Sequence, residues 1–90
     1  MIRQRITFYG RVQGVGFRYR ARYAALDLDL TGWVKNNYDG SVEMEVQGDR
    51  EAITKMIQSI SKGRFLKVTG LDRIDIPLKD NERDFRVEYY

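Results

Sequence analysis

Ninety residues are enough for one domain and too few for two, and the expected unit is a single domain over residues 1–90. The 42% hydrophobic and 32% charged residues suit a chain that buries roughly 60–70% of its unfolded surface. No cysteine and no histidine are present, which excludes disulfides and a thiolate nucleophile and removes the usual general base and the commonest metal ligand.

Along the chain, Ile2, Ile6 and Phe8 share one parity and Arg3, Arg5, Thr7 and Tyr9 the other, which predicts a half-buried strand over residues 2–8. Phe17, Ala21, Ala25 and Leu28 fall on one stripe and predict a helix over 17–28. A short second strand runs from Trp33 to Tyr38, and Asp39-Gly40 signals a hairpin. Val42, Met44 and Val46 then alternate with Ser41, Glu43, Glu45 and Gln47 as a third strand. Gly48-Asp49 breaks it, with Asp49 placed to cap the next helix. Ile53, Met56, Ile57 and Ile60 mark that helix, which should end near Gly63. Leu66 to Ile76 holds strand-like apolar residues with an irregularity expected at Gly70. Pro77 to Asp84 reads as a polar loop, and Phe85, Val87 and Tyr89 as a final strand. The order β-α-β-β-α-β suits a ferredoxin-like α/β sandwich, one antiparallel sheet with two helices on one face.

The net charge of +3 is unevenly spread. Residues 1–26 carry Arg3, Arg5, Arg11, Arg18, Arg20 and Arg22 and no acid before Asp27. Such a distribution points to an anionic partner, or more plainly to a solvated basic face. The apolar runs are too short to span a membrane, and the MIRQR start lacks the apolar stretch of a signal peptide, so the expected location is cytoplasmic.

Several chemical motifs are imitated but not completed. Asp27 to Gly32 resembles the start of a calcium loop, but Tyr38 stands where a bidentate glutamate is required. Gly14-Val15-Gly16 lacks the third glycine of a dinucleotide fingerprint and the Gly-Lys-Ser/Thr of a P-loop. Asp80, Glu82 and Asp84 read as a solvated loop in preference to a metal site. No serine or lysine has an evident base beside it.

The segment RVQGVGFR, residues 11–18, remains. Its glycines allow backbone conformations closed to other residues, and the helix start that follows offers N–H groups without intrahelical partners. Together with the helix dipole these form an anion site. Arg18 in the first turn is opposed by that dipole, so its placement makes sense if an anion lies between. The plainer alternative is a glycine turn with a surface arginine. Asn36 and Asn37, just before the hairpin, are turn-forming types, and strand alternation allows at most one of them to face the loop.

GRVQGVGFR followed by TGWVKN, then DGSVE and QG, resembles the acylphosphatase family, without a gap from Gly10 to Gly48. The second half matches in element order with weaker motifs. The resemblance implies the ferredoxin-like fold and hydrolysis of the carboxyl–phosphate bond of acyl phosphates. It implies that Arg18 is the phosphate-binding arginine, that Asn36 is the catalytic asparagine, and that Gly14, Val15, Gly16, Phe17 and Arg18 form the phosphate cradle. Asn37 is then a turn residue. Lys35 stands where the family usually has arginine, Asp29 where it has glycine, and Gly63-Arg64 where a Gly-Pro is common. The implied enzyme needs no metal and no cofactor. Its partners are the acyl phosphate and inorganic phosphate, the latter as product and inhibitor, with no membrane, and it is expected to be a monomer. Two other readings are a ferredoxin-like nucleic-acid-binding module and a non-catalytic acylphosphatase-like regulatory domain. The initiating Met1 and the ninety-residue length favour a stand-alone enzyme over the latter.

Overall fold

A computed structural model describes residues 1–89. The elements are β1 (Ile2–Arg11), α1 (Phe17–Asp27), β2 (Thr31–Asn36), β3 (Val42–Gly48), α2 (Arg50–Ile60), β4 (Lys67–Ile76) and β5 (Phe85–Val87). Four of the strands make the expected antiparallel sheet in the order β4-β1-β3-β2. The sheet has one strand more than the β-α-β-β-α-β order supplies. The short β5 adds beside β2 in parallel, so the sheet is mixed at one edge.

Alternation sorts the side chains. Ile6 and Phe8 of β1, Val42, Met44 and Val46 of β3 and Val34 of β2 are buried with Phe17, Ala21 and Ala25 of α1 and Ile53, Met56 and Ile60 of α2. Burying side chains of this size contributes about 1.5–3 kcal/mol for each large apolar residue. The other parity of β1, β3 and β2 carries Arg3, Arg5, Glu43, Glu45, Trp33 and Lys35. Trp33 is half-buried there with the Lys35 ammonium 5.5 Å from its ring centroid.

The polar loop is solvated as expected except at Glu82. Residues 77–84 fold back against this face, where the Gln47 amide exchanges two hydrogen bonds with the backbone of Lys79. Glu82 is buried against Arg3, its carboxylate accepting from the guanidinium at 2.7 Å, and both side chains are 2% exposed. Glu45 accepts from Arg3 at 3.0 Å and from Arg5 at 2.8 Å. Burial alone would push both carboxyls up. The hydrogen bonds and charges of these arginines outweigh it and hold Glu82 and Glu45 below the usual carboxylate range.

Irregular points follow local causes. Gly10 pairs with Val68 while Tyr9 pairs with Gly70, so Thr69 is the extra residue of a bulge, one position from the expected irregularity. Asp29 takes the left-handed conformation, φ 57°, just beyond α1. Its N–H donates to the Leu26 carbonyl and the Leu30 N–H to that of Ala25, a Schellman ending. Asp49 stands at the α2 N-cap as expected, but its carboxylate makes no capping hydrogen bond.

Candidate active site

The C-terminal end of β1, the start of α1 and the end of β2 meet at one edge of the sandwich. Between them lies a cleft of about 160 Å³ lined by Val12, Gly14, Gly16, Phe17, Arg18, Tyr19 and Asn36. Phe17 anchors the helix start, its ring 5.0 Å from that of Phe8 in an edge-to-face arrangement. Such a pair adds about 0.5–1.5 kcal/mol beyond area burial. Gly14 and Gly16 have φ of 73° and 77°, with nothing within 4 Å of where a Cβ would stand. Backbone conformation, and not space, is what requires glycine there. Gly16 is the N-cap residue, no side chain caps α1, and no acid lies in its first turn. The first N–H groups of the helix therefore have no side-chain acceptor among the described residues.

Gln13 supplies a restraint that no sequence pattern announced. Its amide donates to the carbonyl oxygens of Asn37 and Ser41 at 2.8 and 2.9 Å, tying the glycine loop to the β2–β3 turn. Asn37 is a turn residue, as expected: its N–H donates to the Ser41 carbonyl and its amide to Ser41 Oγ. Asp39 closes the same turn by accepting from the backbone and hydroxyl of Ser41, and those bonds hold its carboxyl below the usual range.

Asn36 lies on the core-facing parity of β2, paired with Val42, and its side chain reaches the cleft. Its Oδ1 is buried and has no hydrogen-bond partner among the described residues. An acceptor left so typically costs about 1–3 kcal/mol, and a native fold that keeps one needs an explanation. Arg18 is half-buried in the first turn of α1 and has no carboxylate within ion-pair distance among the described residues. Its guanidinium lies 5.1 Å from the ring centroid of Tyr89. Of the expected cradle residues, Gly14, Gly16, Phe17 and Arg18 line the cleft. Val15 does not, and its side chain packs against the core instead.

The basic N-terminal third resolves into separate duties. Arg3 and Arg5 pair with carboxylates on the sheet face, Arg20 donates to the Ser59 and Lys62 carbonyls at the C-terminal end of α2, and Arg22 bonds the Phe85 carbonyl. Four of the six arginines are thus absorbed within the fold, and the excess is not a continuous basic face. Among the described residues no group of three or more histidines, cysteines or carboxylates stands close enough to share a metal ion. No described helix is long and apolar enough to cross a membrane.

Comparison with known proteins matches the acylphosphatase family model to residues 4–87. The chain belongs to the acylphosphatase family. An acylphosphatase of Geobacillus kaustophilus is 46% identical over 90 residues, spanning 99% of this chain and 96% of that one. One from Clostridium beijerinckii is 44% identical over 99% of this chain and all of its own. Among solved structures, the acylphosphatase of Bacillus subtilis superimposes with a TM-score of 0.91 at 37% identity, covering 99% of this chain and 100% of that one. Fold, sequence and extent agree across the whole length, and the chain is an enzyme of the acylphosphatase type.

Proposed function

We propose that this acylphosphatase cleaves the carboxyl–phosphate bond of acyl phosphates by an in-line attack of water, with Arg18 and the 14–18 backbone holding the phosphoryl group and Asn36 holding the water. The observation that carries the reading is the Asn36 Oδ1, buried in the same cleft as Arg18, where among the described residues the oxygen has no donor and the arginine has no carboxylate. An acceptor waiting for a donor fits a water molecule. A cation waiting for an anion fits a phosphate.

The chemistry asks little else of the protein. The leaving group is a carboxylate, which departs without an acid, and the transition state spreads charge over the phosphoryl oxygens. The planar Arg18 fork and the N–H groups at the start of α1 supply fixed positive ends toward that charge. The Asn36 amide is too weak a base to take a proton, so it orients the water, and a phosphoryl oxygen of the substrate accepts the proton. Gly14 and Gly16 bring the backbone into contact range, and Gln13 fixes the loop relative to Asn36. In this reading Val15 contributes through its backbone alone. The enzyme works as a monomer in the cytoplasm, takes no metal or cofactor, and meets inorganic phosphate as product and competitive inhibitor.

The test is hydrolysis of benzoyl phosphate by the purified chain with and without EDTA. Equal, saturable turnover in both is expected. Turnover abolished by EDTA and restored by a divalent cation contradicts the metal-free mechanism, and no turnover in either contradicts the assignment.

A further inference from the structure

Arg18 differs from the other arginines of the N-terminal third in what holds it. Arg3 and Arg5 spend N–H donors on carboxylates, and Arg20 and Arg22 spend theirs on carbonyls. Among the described residues Arg18 has neither kind of partner, yet its guanidinium lies over an aromatic ring, that of Tyr89. The two modes differ in what they leave available. A carboxylate takes the edge of the guanidinium, where the donors are. A ring draws the delocalised charge through its π-face and brings no carboxylate or carbonyl to take up the donors.

The ring is itself located by two contacts. The Glu88 N–H donates to the Val34 carbonyl at 2.8 Å, which carries the chain off the end of β5 toward α1. The Tyr89 and Tyr19 hydroxyl oxygens are 2.5 Å apart, and Tyr19 lines the cleft next to Arg18. Tyr89 is otherwise 68% exposed, so core packing does not account for its position.

We propose that Tyr89, steadied by Tyr19, is a positioning residue that holds Arg18 through a cation–π contact so that its N–H donors are ready for the phosphoryl group. The inference rests on the reading of Arg18 as the phosphate-binding group. Ordering a long side chain before the substrate arrives removes that entropy cost from binding and from the transition state. The Tyr89 ring does this without offering a competing anion.

The test measures benzoyl phosphate kinetics and calorimetric binding of inorganic phosphate for Tyr89→Leu, Tyr89→Phe, Tyr19→Phe, Arg18→Ala and the double variant Arg18→Ala/Tyr89→Leu. Tyr89→Leu is expected to lower kcat/KM and phosphate affinity about three- to tenfold, the scale of one cation–π contact. Tyr89→Phe keeps the ring and should recover most of that loss, and Tyr19→Phe should fall between wild type and Tyr89→Leu. In the Arg18→Ala background Tyr89→Leu should have no further effect, because its action passes through Arg18. Wild-type kinetics for Tyr89→Leu, a Tyr89→Phe variant as impaired as Tyr89→Leu, or equal losses in both backgrounds would overturn the proposal while leaving the phosphate site intact. Unchanged phosphate affinity in Arg18→Ala would instead remove the reading on which it rests, and the proposal with it.

Discussion

Arg3 and Arg18 lie fifteen positions apart in the same basic segment and have opposite fates. The end of Arg3 is enclosed by Glu45, Gln47 and Glu82, with the side chain 2% exposed, under a loop folded back over the sheet. Arg18 lines a cleft, and among the described residues it has no carboxylate within ion-pair distance and its guanidinium lies over the Tyr89 ring. In the proposed reading, what separates the structural Arg3 from the phosphate-binding Arg18 is whether the donors are already spent. The same contrast holds for the amides: Gln13 and Asn37 have their donors satisfied within the fold, whereas Asn36 Oδ1 is left without a donor.

The comparison breaks most sharply at Arg3. Arg3→Ala leaves Glu82 buried without its cation, and loss of one partner of a buried ion pair costs about 3–5 kcal/mol. Chemical denaturation should show that loss, while the folded fraction keeps wild-type turnover. Adding Glu82→Gln to Arg3→Ala should recover part of the stability. A turnover defect in folded Arg3→Ala would mean that the sheet face and the cleft are coupled.

Gln13→Ala removes two hydrogen bonds between the glycine loop and the β2–β3 turn, worth about 1 kcal/mol each. Stability should fall by about 1–2 kcal/mol. Turnover should fall more than phosphate affinity does, because the tie fixes the loop relative to Asn36. A variant with full turnover would show that the tie serves stability alone.

Acid sharpens the contrast from the other side. Glu82 and Glu45 titrate below their ordinary values in the folded state. The stability they contribute is therefore complete above the unfolded carboxylate value of ~4.3 and is lost as pH falls through the folded values. Denaturation midpoints should decline below about pH 4.3, and Glu82→Gln should flatten that decline. An unaltered acid limb in Glu82→Gln would contradict the assignment.

The smallest expected effect is at Asp29. Its left-handed backbone is one that glycine adopts without strain, and among the described residues the carboxylate has no hydrogen-bond partner. Asp29→Gly should be neutral to stabilising by up to about 1 kcal/mol, since the extra freedom of the unfolded glycine offsets part of the relief. Clear destabilisation by calorimetry would contradict this.

Much of the fold was legible because the period is clean where one face is buried, as in β1, β3 and α2. The second strand begins at Thr31 and ends at Asn36, not at Trp33 and Tyr38, because its ladder starts at backbone positions around Gly32 that carry no apolar side chain. The three-residue β5 is too short to declare its parallel pairing with β2. The burial of Glu82 was hidden because its partner is 79 positions away and the loop composition is wholly polar. Within the cleft, Arg18, Asn36 and the glycines were legible through loop physics and the resemblance. Gln13 was not, although a long amide between buried Val12 and Gly14 was a usable signal. Tyr89 left no local trace, since its contacts with Arg18 and Tyr19 form only once both ends of the chain meet.

The most direct test of the central claim is inorganic phosphate binding by calorimetry, set against benzoyl phosphate turnover, for wild type, Arg18→Ala and Asn36→Ala. The account predicts that Arg18→Ala loses both. It predicts that Asn36→Ala keeps phosphate affinity within a few-fold while turnover falls by about 10² or more, the scale of one lost transition-state contact. A folded Asn36→Ala variant that hydrolyses as fast as wild type, or an Arg18→Ala variant that binds phosphate normally, would contradict it.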